Sequence, residues 1–303
     1  MVILLEDRYK AAAEGIRFKR RVPTMGLTVR EEEIWNELSI WEKKLSQYES
    51  TDLAVLYDKS LEMTFSLLPE KTKEQFFNKL DNWLFHLHAI VQSSQIQLDA
   101  RERILASARV FDEQITTITD LNQLTIDQLN YIADQQIAKH RLYSFTQGGA
   151  SGSGGLLLLG GDIPAMTVIN VRIVQLIAMT YGYEVNTPVE MMLALKVFHA
   201  GMMPKRLQGA AWEELIQEMK LKEDDYFYIG DEELTNTSWM EQPLKQLLKA
   251  VAISMFRKKQ FQGIPLISMA IGAGVNYQVT RNVSEFAQKF YQYRYLYEKH
   301  LQA

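Results

Sequence analysis

Apolar residues recur along this chain at spacings of three and four, the period of one face of an α-helix. Thr28 and Glu31 open the first such run as a capping box, S/T-x-x-E, in which each side chain takes up a backbone N–H of the first turn. The run itself carries Ile34, Trp35, Leu38, Trp41, Leu45 and Tyr48. Leu53, Leu56, Tyr57, Leu61, Phe65 and Leu68 predict a second helix, ended by Pro69. Phe76, Phe77, Leu80, Trp83, Leu84, Leu87 and Val91 predict a third. A fourth is expected from Asp99 to Ile115 through Ile104, Leu105, Ala108 and Phe111. Thr125 and Gln128 form another capping box, opening a helix with Leu129, Ile132, Ala133 and Ile137.

That helix leads into the most unusual stretch of the chain, Gln147 to Pro164. Between Leu142 and Tyr183 the only formal charges are Asp162 and Arg172, and glycines crowd the first half. Gly148, Gly152 and Gly155 are spaced four and three, so in a helix they share one face with Leu159. Each glycine costs a helix roughly 1 kcal/mol against alanine, so a helix here requires close backbone packing in return. A flexible Gly/Ser loop is the alternative, although Leu156 to Leu159 are too apolar for an exposed linker. Asp162 is suited to cap the next helix, with Pro164 in its first turn. That helix runs through Met166, Ile169, Ile173, Leu176, Ile177 and Thr180 to Tyr181-Gly182, with Gly182 expected in the left-handed position past its end.

Thr187, Pro188 and Glu190 open a further helix carrying Met191, Met192, Leu195 and Phe198 to Gly201, and another runs from Pro204 to about Leu221. Residues 222–237 are acidic and turn-rich and are expected to form a loop. Ser238 and Glu241 cap a helix that reaches Phe261 and contains the basic run Arg257-Lys258-Lys259. From Gln260 to Thr280 the chain again lacks charge, with Gly272 and Gly274 and then Asn276, which echoes Asn170 in the first uncharged stretch. Val279, Val283, Phe286, Phe290, Tyr293 and Tyr297 mark a final helix. The expectation is an all-α, multi-helix globular bundle around a central glycine-rich, tightly packed helical hairpin. Residues 1–28 form a basic tail and 29–303 a single helical domain.

Composition narrows the function. The chain has 303 residues, 47% of them hydrophobic, enough for a sizeable core. A net charge of -4 argues against a nucleic-acid binder that works by neutralising phosphates. The absence of cysteine removes disulfides, thiolate metal sites and thiol nucleophiles together, and fits a cytoplasmic chain. The apolar run after Met1 ends at Glu6, too short for a secretory signal. A basic patch at Arg17, Lys19, Arg20 and Arg21 reads as a solvated tail or as a contact with anionic lipid headgroups, as does the run at Arg257, Lys258 and Lys259. Neither window across the first uncharged stretch makes a convincing membrane span. One is diluted by glycine and serine, and the other includes Asp162 and Arg172, each about 2.5 to 3.5 kcal/mol unfavourable at mid-bilayer. A buried core is expected, with a membrane-associated hairpin as the alternative.

Catalytic motifs fail on spacing. A nucleophile elbow needs G-x-S-x-G, but the frames centred on Ser151 and Ser153 each lack one glycine. The dinucleotide fingerprint G-x-G-x-x-G is broken by Leu157, and no lysine stands where a P-loop requires one. His86, His88, His140, His199 and His300 lack the partners of a zinc or di-iron helix site, so no metal and no cofactor are expected. Arg172 is expected to pair with a carboxylate of another helix or to line a polar pocket with Asn170.

The stretch Gly148-Gly-Ala-Ser-Gly152-Ser-Gly-Gly155, then Asp162-Ile-Pro164, Arg172 and Ala178-Met-Thr-Tyr181-Gly182-Tyr183, resembles the EcsC family of bacterial proteins. Trp41-Glu-Lys-Lys, Pro69-Glu-Lys, Ile264-Pro265 and Asn276 agree with it, so the resemblance covers Arg30 to Leu301. It implies a protein encoded beside the Ecs ABC transporter pair of Gram-positive bacteria, connected with secretion, regulated proteolysis and competence. It brings no catalytic residues. The expected function is a non-enzymatic helical accessory protein of the Ecs transporter, cytoplasmic and peripheral to the inner face of the membrane. Transporter subunits and lipid are its expected partners. A binding module for a lipid or hydrophobic peptide, lined by methionines such as Met166, Met179, Met191, Met192, Met202 and Met203, is the alternative. A hydrolase using Ser151 or Ser153 is the remaining one.

Overall fold

The computed structural model describes residues 26–48, 94–152, 159–203, 205–224 and 265–302. Among these the chain forms seven α-helices, one 3-10 turn and no strand. The helices are α1 (Val29–Ser46), α2 (Ser94–Ala108), α3 (Ile126–Gly152), α4 (Leu159–Thr180), α5 (Pro188–Met202), α6 (Lys205–Asp224) and α7 (Pro265–Gln302). The expected helices at 53–68, 76–91 and 238–261 lie outside the described residues, as does the turn of the glycine-rich hairpin. Two compact units divide the chain. One contains α1, α6 and α7 from Lys289 onward; the other contains α2 to α5 and α7 as far as Gln288.

In the first unit, α1 starts as its capping box requires. The Glu31 amide donates to the Thr28 hydroxyl at 3.3 Å and the Thr28 amide to the Glu31 carboxylate at 2.8 Å. Glu31 also takes the Lys299 ammonium at 2.5 Å, so one buried carboxylate caps α1 and holds the end of α7. Ile34, Trp35 and Leu38 supply the buried stripe, while Tyr48, expected on it, lies past the helix end and is exposed. Trp35 stacks on Tyr293, and Trp212 of α6 meets Trp41, Phe290 and Tyr293 edge-on. The Trp212 indole N–H is satisfied by Glu42 at 3.0 Å, which allows so large a polar-tipped ring to be buried. α6 continues to Asp224, so Lys222, Glu223 and Asp224 of the expected acidic loop are helical, and the rest of it lies outside the described residues.

In the second unit α3 packs on α4, α4 on α5, and α2 against both α3 and α4. Leu129, Ile132, Ala133 and Ile137 of α3 are buried, as are Ile173, Val174, Ile177 and Ala178 of α4. Thr125 and Gln128 cap α3 reciprocally, and Thr187 caps α5 through the Glu190 amide. The fourth sequence-predicted helix is displaced. It ends at Ala108, where the amides of Phe111 and Asp112 turn back onto the Ala108 carbonyl. Phe111 therefore leaves the apolar face and lies half-exposed, edge-on to Tyr131.

α4 begins at Leu159, which corrects the cap assigned to Asp162: this residue lies inside the first turn, and Pro164 in the second. Packing against α3 outweighs the low helical propensity of Gly160-Gly161 and carries the helix back to Leu159. The other end follows the sequence. Gly182 adopts φ 89°, its amide bonds to the Met179 carbonyl and the Tyr183 amide to the Ala178 carbonyl, the paired bonds of a Schellman motif. At Gly201 the helices meet closely: a Cβ there would stand 3.0 Å from the Val283 Cα. α7 is continuous over 38 residues, so the second uncharged stretch from Pro265 onward and the final predicted helix are one element.

Candidate functional site

The two uncharged stretches meet where α3 runs beside α7. Ser144 links them: its hydroxyl donates to the Asn276 carbonyl at 2.9 Å and accepts from the Thr280 hydroxyl at 2.6 Å. The Asn276 side-chain amide donates to Gln147 Oε1 at 2.7 Å. Nearer the start of α3, Arg141 donates through Nε and Nη2 to the Ser284 hydroxyl at 3.2 and 3.0 Å. Further along, Gln288 reaches Asp134 at 2.9 Å. Pairs 134/288, 141/284, 144/280 and 147/276 define an antiparallel pair. Ser144, Asn276, Thr280 and Ser284 are buried, and the Asn276 Oδ1 has no partner.

The seam follows from residue size and spacing. Asn276, Thr280 and Ser284 stand four apart, so their side chains lie on one face of α7. They are small enough to bring the helices close and polar enough to need partners once buried. Sequence reasoning singled out Asn276 but missed Ser144, Thr280 and Ser284. The four-residue repeat of small polar residues in α7 is the signal that would have found them.

At the level of this seam, Leu142, Tyr143 and Phe145 of α3 are 61%, 48% and 48% exposed, and Tyr277 of α7 is 38% exposed. Lys139 lies over the Tyr143 ring at 5.8 Å. His140 is buried, bonded to the Gln136 carbonyl at 2.9 Å and edge-on to Tyr143. Burial holds its imidazole below the ordinary value, against the raising effect of the Gln136 bond, and the charges of Arg172, Lys139 and Arg103 add to the lowering.

The expected signature residues spread through the second unit. Gly148 is buried in α3 and Gly152 ends that helix, whereas Gly155 lies outside the described residues. Asn170 is fully buried, its amide donating to the Met166 carbonyl at 2.7 Å and its Oδ1 without a partner. Arg172 is half-buried; burial lowers its pKa, the charge of Arg103 lowers it further, and Asp99 opposes both. Tyr181 is buried with its hydroxyl 2.6 Å from Asn130 Oδ1, and Gly182 lies against the Asn122 side chain. Tyr181 and Gly182 thus fix the turn after α4 through Asn130 and Asn122. Met166, Met179, Met191 and Met203 are core, and Met192 and Met202 are half-buried. Arg17, Lys19, Arg20, Arg21, Arg257, Lys258 and Lys259 lie outside the described residues. Among the described residues, no helix is long and apolar enough to cross a membrane, and no three His, Asp or Glu side chains gather to hold a metal ion.

This chain, all-α among its described residues, belongs to the EcsC protein family, whose model matches residues 32–296. Two curated relatives come from Bacillus subtilis (strain 168). The uncharacterized protein YdbA is 24% identical over 279 residues, covering 90% of this chain and 96% of that protein. Protein EcsC is 19% identical over 250 residues, covering 82% of this chain and 98% of that protein. No solved structure matches the chain.

Proposed function

We propose that the chain is a non-enzymatic helical accessory protein that acts with the Ecs ABC transporter at the inner face of the cell membrane. The pairing of α3 with α7 carries this reading. It sets two sequence-distant uncharged stretches side by side and leaves Leu142, Tyr143, Phe145 and Tyr277 exposed beside them. Exposed apolar and aromatic side chains at one level of a helix pair are the kind of surface an interaction site uses. Membership of the EcsC family supports the transporter as the partner.

Cell fractionation followed by affinity purification tests it. The chain is expected in the membrane fraction at low salt, to be released by high salt or carbonate, and to bring transporter subunits with it. Full recovery in the soluble fraction with no transporter subunit attached would overturn the reading.

A further inference from the structure

We propose that the uncharged end of the α3/α7 pair is a docking surface for an anionic lipid bilayer, with Leu142, Tyr143, Phe145 and Tyr277 entering the headgroup region and Lys139 and Arg281 meeting phosphates. The proposal rests on the membrane-peripheral reading above and names its lipid contact. The hydrogen bonds between the helices fix the height of each residue. Because the pair is antiparallel, a step toward Gly152 in α3 is a step toward Pro265 in α7.

Read in that direction, the balance of charge changes. Asp134 and Lys289 come first, at the level of the Asp134–Gln288 bond. A net positive band follows, with Lys139, Arg141 and Glu285 at the level of the Arg141–Ser284 bonds and Arg281 beside Thr280. The exposed apolar and aromatic side chains come next, level with Ser144 and Asn276. Beyond them neither helix carries a charge, from Leu142 to Gly152 in α3 and from Pro265 to Thr280 in α7. The collar of cations continues onto neighbouring helices, since His140 feels Arg172 of α4 and Arg103 of α2, with Asp99 the acid beside Arg172.

A net positive band, then aromatic side chains and then an uncharged end is the order in which an anionic bilayer surface is met from water. Anionic headgroups attract Lys and Arg within a Debye length. Tyrosine, with an apolar ring and a polar tip, is enriched at that level, and cationic side chains extend their stems over apolar surface while their heads stay in water. A protein partner would need the exposed rings but not cations arranged in a band behind them.

Vesicle flotation with the full chain tests this. The chain is expected to float with vesicles of phosphatidylglycerol and phosphatidylcholine at low salt, and not with phosphatidylcholine alone. The pair Leu142→Glu and Phe145→Glu should abolish flotation. The pair Lys139→Glu and Arg281→Glu should weaken it by at least about fivefold for each cation lost. All four positions are exposed, so circular dichroism should report an unchanged helical fold. Flotation that survives both pairs would place the lipid contact elsewhere and overturn the assignment. A chain that stays on membranes in cell fractionation but never floats with vesicles would also overturn it, leaving the transporter as its anchor and the peripheral reading intact. A dimer in solution that dissociates in the Leu142→Glu and Phe145→Glu pair would assign the face to a second copy and overturn it as well.

Discussion

Gly201 and Gly274 are both helical glycines, yet their surroundings demand opposite things. At Gly201 an added Cβ would meet the Val283 Cα at 3.0 Å and the Phe286 Cβ at 3.4 Å, and the first of these is backbone that cannot swing aside. At Gly274 nothing lies within 4 Å, so alanine meets open space. Alanine recovers roughly 1 kcal/mol of helix propensity, whereas overpacking costs about 1–3 kcal/mol. Gly274→Ala should therefore raise stability toward urea by up to about 1 kcal/mol, and Gly201→Ala should lower it. A destabilised Gly274→Ala variant would mean that the open space is occupied in solution. The tight packing anticipated for the glycines of the uncharged stretches is thus not a property of Gly274, and it is found instead at a glycine read from sequence only as a helix end.

At the scale of elements, what was legible was what is local. Thr28, Thr125, Thr187 and Gly182 stop and start their helices through bonds made within a few residues, so the motifs read directly as structure. Pairing of α3 with α7 was not legible, because it joins residues well over a hundred positions apart and leaves only a four-residue repeat of small side chains as its trace. The unbroken α7 was hidden for a related reason: its uncharged start and its periodic apolar end read as two separate segments. The seam itself is testable as a pair. Ser144→Ala leaves the buried Thr280 hydroxyl without its acceptor, at a cost of about 1–3 kcal/mol. Adding Thr280→Val removes the stranded group and should recover part of that loss, giving a coupling energy of about 0.5 kcal/mol or more in a double-mutant cycle. Strict additivity would show that the two hydroxyls do not depend on each other.

For the whole molecule, acid is expected to weaken the two compact units through different groups and in different ranges of pH. In the second unit, burial depresses His140, and Arg172, Lys139 and Arg103 add to the effect; burial alone depresses His199. Both imidazoles are neutral in the fold, while the unfolded chain protonates near the ordinary histidine value of 6.5. Below that value the unfolded state holds more protons, so stability falls with falling pH until the depressed folded values are passed. In the first unit, burial by itself would raise Glu31, but the bond from Lys299 and those from the Thr28 amide and hydroxyl outweigh it and hold the carboxyl below 4.5. The stability contributed by Glu31 is complete above 4.5 and is lost as pH falls through its lower folded value. Lys299 is the converse. Burial opposes its charge, yet Glu31 and Tyr295 raise it above 10.5, so its contribution is lost only as alkaline pH passes that raised value. The thermal midpoint, followed by circular dichroism, should therefore decline in two stages on acidification. His140→Gln with His199→Gln should flatten the first stage and leave the second. Glu31→Gln should flatten the second at the cost of a lower midpoint at neutral pH, since the amide that replaces the carboxylate cannot pair with the Lys299 charge. A midpoint that stays level from neutral pH to about pH 5 would show that the buried imidazoles do not resist protonation in the fold.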